Sequence, residues 1–344
     1  MRSALTSSAI ALLLFSSVGL TYFAASSPGE NMTSAANAFV ESLDADQKKT
    51  ALLDYETPAR LGWHFIPKDE RKGLQIKFMN KAQQEKAHQL LKAALSEMGY
   101  QKTTQIMALE KILNEFEEGK GRWARDHERY YFTIFGTPAK DAKWGLSYEG
   151  HHLSLNFVVE NNKMISSTPQ FFATNPATVQ NENKVGVKVG TRVLAKEETL
   201  AFELVNSLND DQASKAILSD EAPAEIRDAG SPQPSTGDAE GVAYSDLKIE
   251  QKSMLLNLVE EYAKAVADPV AKQRIDELHY DGLDQIHFAW AGATKPGIGH
   301  YYRIQGRGFL IEFVNTQPDA AGNPANHVHC VYRDMDGDFA LPIE

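Results

Sequence analysis

The chain has 344 residues, of which 46 are Asp or Glu and 35 are Lys or Arg, so its formal net charge is −11. This acidic surplus repels nucleic acid and anionic membrane surfaces at long range, which disfavours both as partners and leaves a small-molecule ligand or substrate. The sole cysteine, Cys330, excludes an internal disulfide and any site with several cysteine ligands.

The N-terminus has the pattern of a secretory signal peptide. Arg2 precedes a run of apolar and small residues that extends to Ala25. We expect cleavage between Ala25 and Ser27, with residues 1–26 as the signal peptide and the protein in the periplasm or secreted. An uncleaved anchor is the alternative, because the run is just long enough to span a bilayer. No later apolar run is long enough, so no stable membrane insertion is expected after cleavage.

Internal similarity divides the rest of the chain into two related halves. At one offset, residues 39–47 and the pair Leu90–Leu91 match residues 204–212 and the pair Leu255–Leu256; at a second offset, residues 132–136 match residues 288–292. The order of the segments is preserved. We therefore predict a first repeat half with an extension at residues 36–221, a linker or loop at 222–241, and a second half packed on the first at 242–340.

Each half combines helical and strand patterns. Apolar residues recur at helical spacing in Gln83–Leu95 and Thr104–Phe116, whereas later segments alternate apolar and polar residues as strands do. This pattern predicts an α+β fold in which each half has amphipathic helices plus antiparallel strands. The Pro- and Gly-containing residues 222–241 are expected to be exposed.

The segment Asn326–Arg333 contains the strongest candidate for a metal site. As a strand, it places His327 and His329 on one face, with Val331 and Arg333. Two such residues lie about 6.6–6.8 Å apart along the strand, and both imidazoles can turn toward one ion. The alternative is a pair of surface histidines or hydrogen-bonded core histidines.

A third ligand is expected from His152, His300 or Glu312. His152 is predicted on the polar face of a strand at Gly150–Val159. Glu312 lies among apolar residues, and a buried carboxylate is costly unless it is paired or binds a cation. Glu312 is therefore a metal ligand, a general base or the partner of Arg303 or Arg333.

Several catalytic motifs are absent. The chain has no HExxH sequence, no phosphate-binding loop and no dinucleotide fingerprint. In GLSYEG, at residues 145–150, one residue too many separates Ser147 from the second glycine for a nucleophile elbow. A serine hydrolase is thus unsupported.

The same motifs resemble a bacterial family of exported proteins that is catalogued as domain of unknown function 3500. The resemblance runs from Ala36 to Phe339, and it is carried by YFTIFGTP (131–138), GHHLSLNF (150–157), HYYR (300–303), FLIEFVNTQ (309–317) and NHVHCVYRDMDGD (326–338). The chain departs from the family pattern at Ala340, where a glycine is expected. The resemblance implies no particular reaction.

The leading functional hypothesis is a metal-dependent enzyme, a hydrolase or an oxidoreductase, with one divalent transition metal ion. Zinc, iron and copper all suit histidine ligands. Arg303 and Arg333 would hold an anionic substrate, and Glu312 would take part in catalysis. The alternative is a binding protein without catalysis, in which aromatic residues stack on a ligand: Trp144, Trp290, Tyr301 and Tyr302. A structural envelope protein is the third possibility.

Overall fold

The computed structural model describes residues 27–235 and 237–342, so the predicted signal peptide lies outside the described residues. The first half contains these elements: α1 (Pro28–Ser42), α2 (Ala45–Ala51), β1 (Leu52–Leu53), β2 (Leu74–Gln75), α3 (Lys81–Ala94), α4 (Glu97–Phe116), β3 (Tyr131–Phe135), β4 (Lys143–Gly150), β5 (Leu153–Glu160), β6 (Lys163–Ser166) and β7 (Gln170–Thr174).

The second half follows the same order of elements, without a counterpart of β6 in the residues described. It contains α5 (Ala195–Ser207), α6 (Asp210–Ala216), β8 (Ile217–Ser219), β9 (Val242–Ala243), α7 (Ile249–Ala263), α8 (Asp268–Asp281), β10 (His287–Gly292), β11 (His300–Gln305), β12 (Phe309–Gln317) and β13 (His327–Asp334).

One mixed sheet joins the two halves. Its strand order is β1-β3-β4-β5-β7-β13-β12-β11-β10-β8, with β2 beside β3, β6 beside β5 and β9 beside β10. The second part of this order repeats the first in reverse, and the two halves meet where β7 pairs antiparallel with β13. The predicted α+β class is confirmed.

A pseudo-twofold axis relates the halves through two symmetric contacts. Gln170 of β7 pairs with Tyr332 of β13, and these two residues hold equivalent places in their strands. Before α4 and α8, the Ser96 N–H donates to Ala265 O (3.2 Å) and the Ala267 N–H donates to Ala94 O (3.1 Å). Each hydrogen bond is the symmetry mate of the other.

The N-termini of α3 and α7 show which residues of the two halves correspond to each other. Asn80 and Gln83 form a capping box at the start of α3, and the Gln83 amide donates to Ser42 O (2.9 Å). At the start of α7, the Gln251 amide donates to Ser207 O (2.7 Å) in the same way. Gln83 therefore corresponds to Gln251. The sequence alignment of Leu90–Leu91 with Leu255–Leu256 was wrong, because this register aligns that pair with residues 258 and 259.

The helix predictions hold with different boundaries. The predicted helix Gln83–Leu95 is α3, and Thr104–Phe116 is the C-terminal part of α4. The latter helix begins seven residues earlier because the Ser96 side chain accepts the Gly99 N–H (3.1 Å) and caps the N-terminus. Along the described residues, no helix is both long enough and apolar enough to cross a membrane.

The two faces of the sheet have different coverings. Helices cover one face and form the main apolar core, which includes Trp144, Trp290 and Phe313. Loops cover the other face, where a smaller cluster contains Trp63 and Phe171. Alternation along β13 places Val328, Cys330 and Tyr332 in the main core and Val331 in the smaller cluster, as its period of two predicts.

Residues 222–241, apart from residue 236, form a covering segment on the loop-covered face. No helix or strand is assigned in the described part of this segment. Its Ile226 is only 4% exposed and packs in the smaller cluster. The prediction of an exposed linker therefore fails at Ile226, because this segment is needed to shield one face of the sheet from water.

Candidate metal centre

His152 lies in the tight turn between β4 and β5. The predicted strand Gly150–Val159 was wrong at its start, because the chain reverses at residues 151 and 152. His152 has a φ of 65°, in the left-handed region that only a small fraction of non-glycine residues adopt. Two hydrogen bonds hold its peptide: the His152 N–H donates to Phe65 O, and His152 O accepts from the Ala173 N–H, both at 2.9 Å.

Three histidines converge on one point of the loop-covered face. His327 and His329 lie on the same face of β13, as predicted, and His152 reaches them from its turn. The His327 Nε2 atom is 2.9 Å from His152 Nε2 and 3.0 Å from His329 Nε2. We call these three residues the imidazole cluster; their ring nitrogens meet the distance requirement for ligands of one metal ion.

The spacing of these nitrogens is close to that of a metal centre. With Zn–N bonds of about 2.0–2.1 Å, two nitrogens of a tetrahedral site lie about 3.3 Å apart. The two measured distances are a few tenths of an ångström shorter. An ion would therefore require a small outward movement of the rings, and His327 is the least buried of the three.

Burial disfavours the protonated forms of His152 and His327. Desolvation lowers the pKa of His152 well below 6.5, and the neighbouring imidazoles lower it further. The pKa of His327 is lowered well below 6.5 by the same two causes, again with desolvation as the larger. Neutral imidazoles offer the lone pairs that a metal ion needs, so this electrostatic environment favours ligation over protonation.

A carboxylate fixes the orientation of His329. Its Nδ1 lies 2.9 and 2.8 Å from the two carboxylate oxygens of Glu225, so the Nδ1–H donates to Glu225 and Nε2 carries the lone pair. Histidine ligands of metal sites commonly have such a carboxylate partner. Glu225 belongs to the covering segment, which was predicted only as a linker or loop, and no motif in that polar stretch indicates this role.

Asn175 is the neighbour of His327. Its Nδ2 donates to His327 Nδ1 (3.3 Å), and its Oδ1 accepts from the Ala320 N–H (3.3 Å). In this arrangement the proton of His327 is on Nε2, between the two other Nε2 atoms. Ligation through His327 Nε2 would require that proton to move to Nδ1 and the Asn175 amide to turn its oxygen toward it.

A second pair of titratable groups lies beside the cluster. The ring of His151 stacks on that of His152, with centroids 3.6 Å apart. The His151 Nδ1–H donates to Glu110 Oε1 (2.6 Å), and the Arg125 guanidinium lies 3.2 Å from the same nitrogen. Residues 110, 151 and 152 thus form a second set with ligand spacing. Neither Glu110, which lies on α4, nor His151 was among the predicted site residues.

Aromatic rings enclose the cluster on its inner side. The centroid of the His329 ring is 4.9 Å from that of Phe65 and 5.7 Å from that of Phe171. These rings shield the inner side of His329 from water. They also limit the rotations of the His329 ring, which the Glu225 hydrogen bonds restrict further.

His300 does not join the cluster, because the sheet separates them. Its ring packs in the main core, stacked on Trp290 with centroids 5.6 Å apart. Its Nε2 lies 3.2 Å from Glu198 Oε1, and its Nδ1 lies 2.8 Å from Ile298 O. The neighbours of His300 are thus on the helix-covered face, whereas His329 faces the loops.

Glu312, Arg303 and Arg333 are on the loop-covered face but have their own partners. Glu312 Oε1 accepts from the Tyr301 hydroxyl (2.5 Å) and from Arg227 Nε (3.1 Å). Arg303 donates to Glu240 (2.5 Å), and Arg333 donates to Asp338 (2.7 Å). The predicted pairing of Glu312 with Arg303 or Arg333 is therefore not formed; the covering segment supplies Arg227 instead.

The aromatic residues of the alternative hypothesis are buried. Trp144, Trp290 and Tyr302 are 0% exposed, and Tyr301 is 6% exposed. The first three lie in the main core, where neighbouring rings contact them. None of the four offers an exposed face on which a ligand could stack.

Comparison with known proteins identifies the family. The chain matches a family described as protein of unknown function (DUF3500) over residues 25–341. The chain belongs to this family. No curated protein and no solved structure matches the chain. The family predicted from the motifs is confirmed, while bacterial origin and export stay predictions.

Proposed function

We propose that the imidazole cluster binds one divalent transition metal ion and that this protein is a metal-dependent hydrolase acting on a small molecule. The convergence of His152, His327 and His329 on one point is the observation that supports this proposal. Three protein ligands leave a fourth position for water or substrate, as catalytic zinc sites do.

The chemistry of the donor set favours zinc over the other metals considered. All three donors are imidazoles, which suit zinc and copper, whereas mononuclear iron oxygenases combine two histidines with a carboxylate. Cys330 faces the main core, on the other side of the sheet, and desolvation raises the pKa of its thiol. A thiolate ligand, which would favour copper(I), is thus not available from this strand.

The residues around the cluster have separate roles in this proposal. Glu225 orients His329 and increases its basicity, and Asn175 controls the tautomer of His327. The bound ion would lower the pKa of a coordinated water and supply a hydroxide near neutral pH. The His151–Glu110 pair, stacked on His152, is a protein group outside the ligand set that can accept or donate a proton.

The site of action is part of the same proposal. The apolar run before Ser27 supports export, so we place the reaction in the periplasm or outside the cell. The acidic net charge supports a small neutral or cationic substrate over nucleic acid.

Metal content is the first test. The exported protein should be purified without chelators or metal-affinity resin and analysed for transition metals. We expect about one equivalent in the native protein and none in a His152→Ala, His329→Ala double variant that retains its circular dichroism spectrum. His279→Ala, which removes an exposed histidine from α8, is the matched control and should keep its metal. Absence of metal from the native protein, even after reconstitution with zinc, copper and iron, refutes the proposal.

Replacement of the native ion by Co²⁺ tests whether the fourth position is open. The visible spectrum of a Co²⁺ site with a bound water changes as that water ionises, and we expect one such transition near neutral pH. A spectrum that stays constant between pH 6 and 9 would indicate a closed, structural site and would contradict the hydrolase. Screening with ester and phosphoester substrates then follows on the metal-loaded protein.

A further inference from the structure

We propose a second binding site, for a small zwitterion that carries both an ammonium and a carboxylate group, as a free amino acid does. It is a cavity of about 340 Å³ lined by residues of α8, β12 and β13 and by residues 164–168. This inference does not depend on the imidazole cluster.

One wall of the cavity is the pseudosymmetric counterpart of the turn that carries His152. The pairing of β4 with β5 and of β11 with β12 makes Gly308 the counterpart of His152. Gly308 lines the cavity, together with Phe309 and Tyr332 of the main core, so the cavity lies on the helix-covered face of the sheet. The turn of the second half thus leaves open space where that of the first half carries an imidazole ring.

One wall of the cavity carries a buried cation without a direct ion-pair partner. Arg274 is 8% exposed, and no carboxylate oxygen within the described residues lies within 4.0 Å of its guanidinium. Its bonds go to neutral acceptors, namely Gln170 Oε1 (3.0 Å), Ser167 O (2.9 Å) and Ser167 Oγ (2.8 Å). It also stacks on the Tyr332 ring, 4.4 Å from the centroid. A buried guanidinium without a direct ion-pair partner is unfavourable and attracts an anionic group.

The cavity also carries carboxylates that form no ion pair within the described residues. A Cβ atom at Gly308 would lie 3.0 Å from Asp281 Oδ2 and 3.3 Å from Asp336 Oδ2, so these two carboxylates flank the glycine. Asp334 lines the same cavity, and burial raises its pKa to about 6. Among described residues, none of the three has a lysine or arginine nitrogen within 4.0 Å. They favour a cationic group beside them.

The buried cation and the carboxylates together select the ligand class. A simple anion at Arg274 would face the carboxylates of Glu277, Asp281, Asp334 and Asp336, which line the same cavity. A simple cation would leave the guanidinium uncompensated. A zwitterion places its carboxylate at Arg274 and its ammonium at the carboxylates, so both charges are matched. The apolar side chains of Val270, Leu278 and Phe309 complete the lining and would contact a short aliphatic group.

The test uses calorimetry on the full mature chain. The twenty standard amino acids are titrated first, and the one that binds best is compared with its amide, which lacks the carboxylate, and its N-acetyl derivative, which lacks the ammonium. We expect the free amino acid to bind at least tenfold more tightly than either derivative. A derivative that binds equally well, or Kd values above 10 mM for all twenty, would overturn the proposal.

Two variants connect the binding to the named residues. Arg274→Met should remove the preference for the free acid over the amide, and Asp334→Asn should weaken the amide and the free acid alike. Lys272→Met, an exposed position on the same helix, is the matched control and should bind as the native protein does. Unchanged preferences in both variants would place the ligand elsewhere. The comparison of derivatives on the native chain keeps the proposal testable if Arg274→Met fails to fold.

Discussion

The imidazole cluster and the zwitterion cavity adjoin equivalent turns of the two halves, yet they offer different chemistry. At His152, the turn of the first half brings its ring to two histidines of β13, and the three rings leave room for one ion. At Gly308, the turn of the second half carries no side chain, and the charges of Arg274 and Asp334 line the adjoining cavity. The same turn therefore borders two different sites, and the side chains around it decide what each site can bind.

The local backbone also differs between the two sites. His152 has a left-handed φ of 65°, whereas Gly308 does not adopt the left-handed region. Strain of about 1–3 kcal/mol at a non-glycine residue persists only where surrounding contacts hold it. The strained residue is the one that brings its ring to the cluster, which agrees with the association of such strain with functional sites.

Arg333 and Arg274, both buried, provide the prediction with the largest effect. Arg333, on the loop-covered face, has Asp338 as its ion-pair partner at 2.7 Å, whereas Arg274 has no carboxylate partner within 4.0 Å in the described chain. Arg333→Met would leave Asp338 buried without its cation, and we expect a loss of about 3–5 kcal/mol in the free energy of unfolding. Denaturation by urea, followed by circular dichroism, measures it.

Arg274→Met is the matched comparison for this experiment. It removes a buried charge that has no counter-ion, so the lost hydrogen bonds are partly offset by the lost desolvation penalty, and we expect a smaller destabilisation than for Arg333→Met. Equal losses in the two variants would show that the cavity arginine is as well compensated as Arg333, and would remove the electrostatic basis of the zwitterion site.

Glu225 provides the second prediction, which concerns the metal centre alone. Glu225→Gln removes the carboxylate that orients His329, and we expect metal affinity to fall by about 10–100-fold, as for other such partners. Competition with a fluorescent chelator measures the affinity. Glu221→Gln, at an exposed position just before the covering segment, should leave it unchanged. An equal effect of both variants would mean that general negative charge, and not the contact with His329, controls binding.

The sequence predicted much of the fold because regular patterns determine it. The alternation in β13 gave the correct faces for His329 and Val331, and the spacing of apolar residues located α3 and the C-terminal part of α4. Repeated motifs gave the two halves. What failed was the turn at His152, because GHHLSLNF alternates well enough to continue the strand and only tertiary hydrogen bonds from Phe65 and Ala173 reverse it.

The partners of the site residues could not be predicted, because they come from distant parts of the chain. Glu225 and Arg227 belong to a segment without periodicity, and their contacts with His329 and Glu312 depend on how that segment crosses the sheet. His300 shows the same limit from the other side. It was predicted as a possible third ligand of the metal ion, but its side chain lies on the helix-covered face. The register of β11 decides which face it occupies.

Asp334 provides the third prediction, on pH dependence in the cavity. Burial raises the pKa of its carboxyl from 3.8 to about 6. The hydrogen bond from the Asp336 N–H and the charge of Arg274 oppose this shift, while the charges of Asp338 and Asp336 add to it. The folded state thus holds this proton more tightly than the unfolded state. The contribution of the Asp334 carboxyl to stability is therefore complete below pH 3.8 and is lost as the pH rises through 6. Asp334→Asn should raise stability at pH 7 by about 1–2 kcal/mol, allowing for partial solvent screening.

The dependence on pH distinguishes this cause from a packing effect. The advantage of Asp334→Asn should shrink between pH 7 and pH 4.5, because the native carboxyl becomes protonated over that range. Thermal unfolding of both proteins at the two pH values measures the difference. An advantage that stays constant would mean that the carboxylate is not destabilising at neutral pH, and the cavity would then lack the unmatched negative charge that the zwitterion requires.

Asn175 provides the prediction with the smallest effect, and it returns to the imidazole cluster. In the present arrangement its amide donates to His327 Nδ1, which keeps the proton of His327 on the Nε2 atom that a metal ion needs. Asn175→Asp substitutes an acceptor, so the proton is held on Nδ1 and Nε2 is free for ligation before the ion arrives. We expect the metal affinity to rise several-fold, which is less than the tenfold change that corresponds to about 1.4 kcal/mol of binding free energy. The Asn175→Leu variant separates the effect of the tautomer from that of charge, because leucine can neither donate nor accept a hydrogen bond. If this variant binds metal as tightly as Asn175→Asp does, His327 adopts its tautomer without help from residue 175. Asn175 would then serve only to position the loop at Ala320.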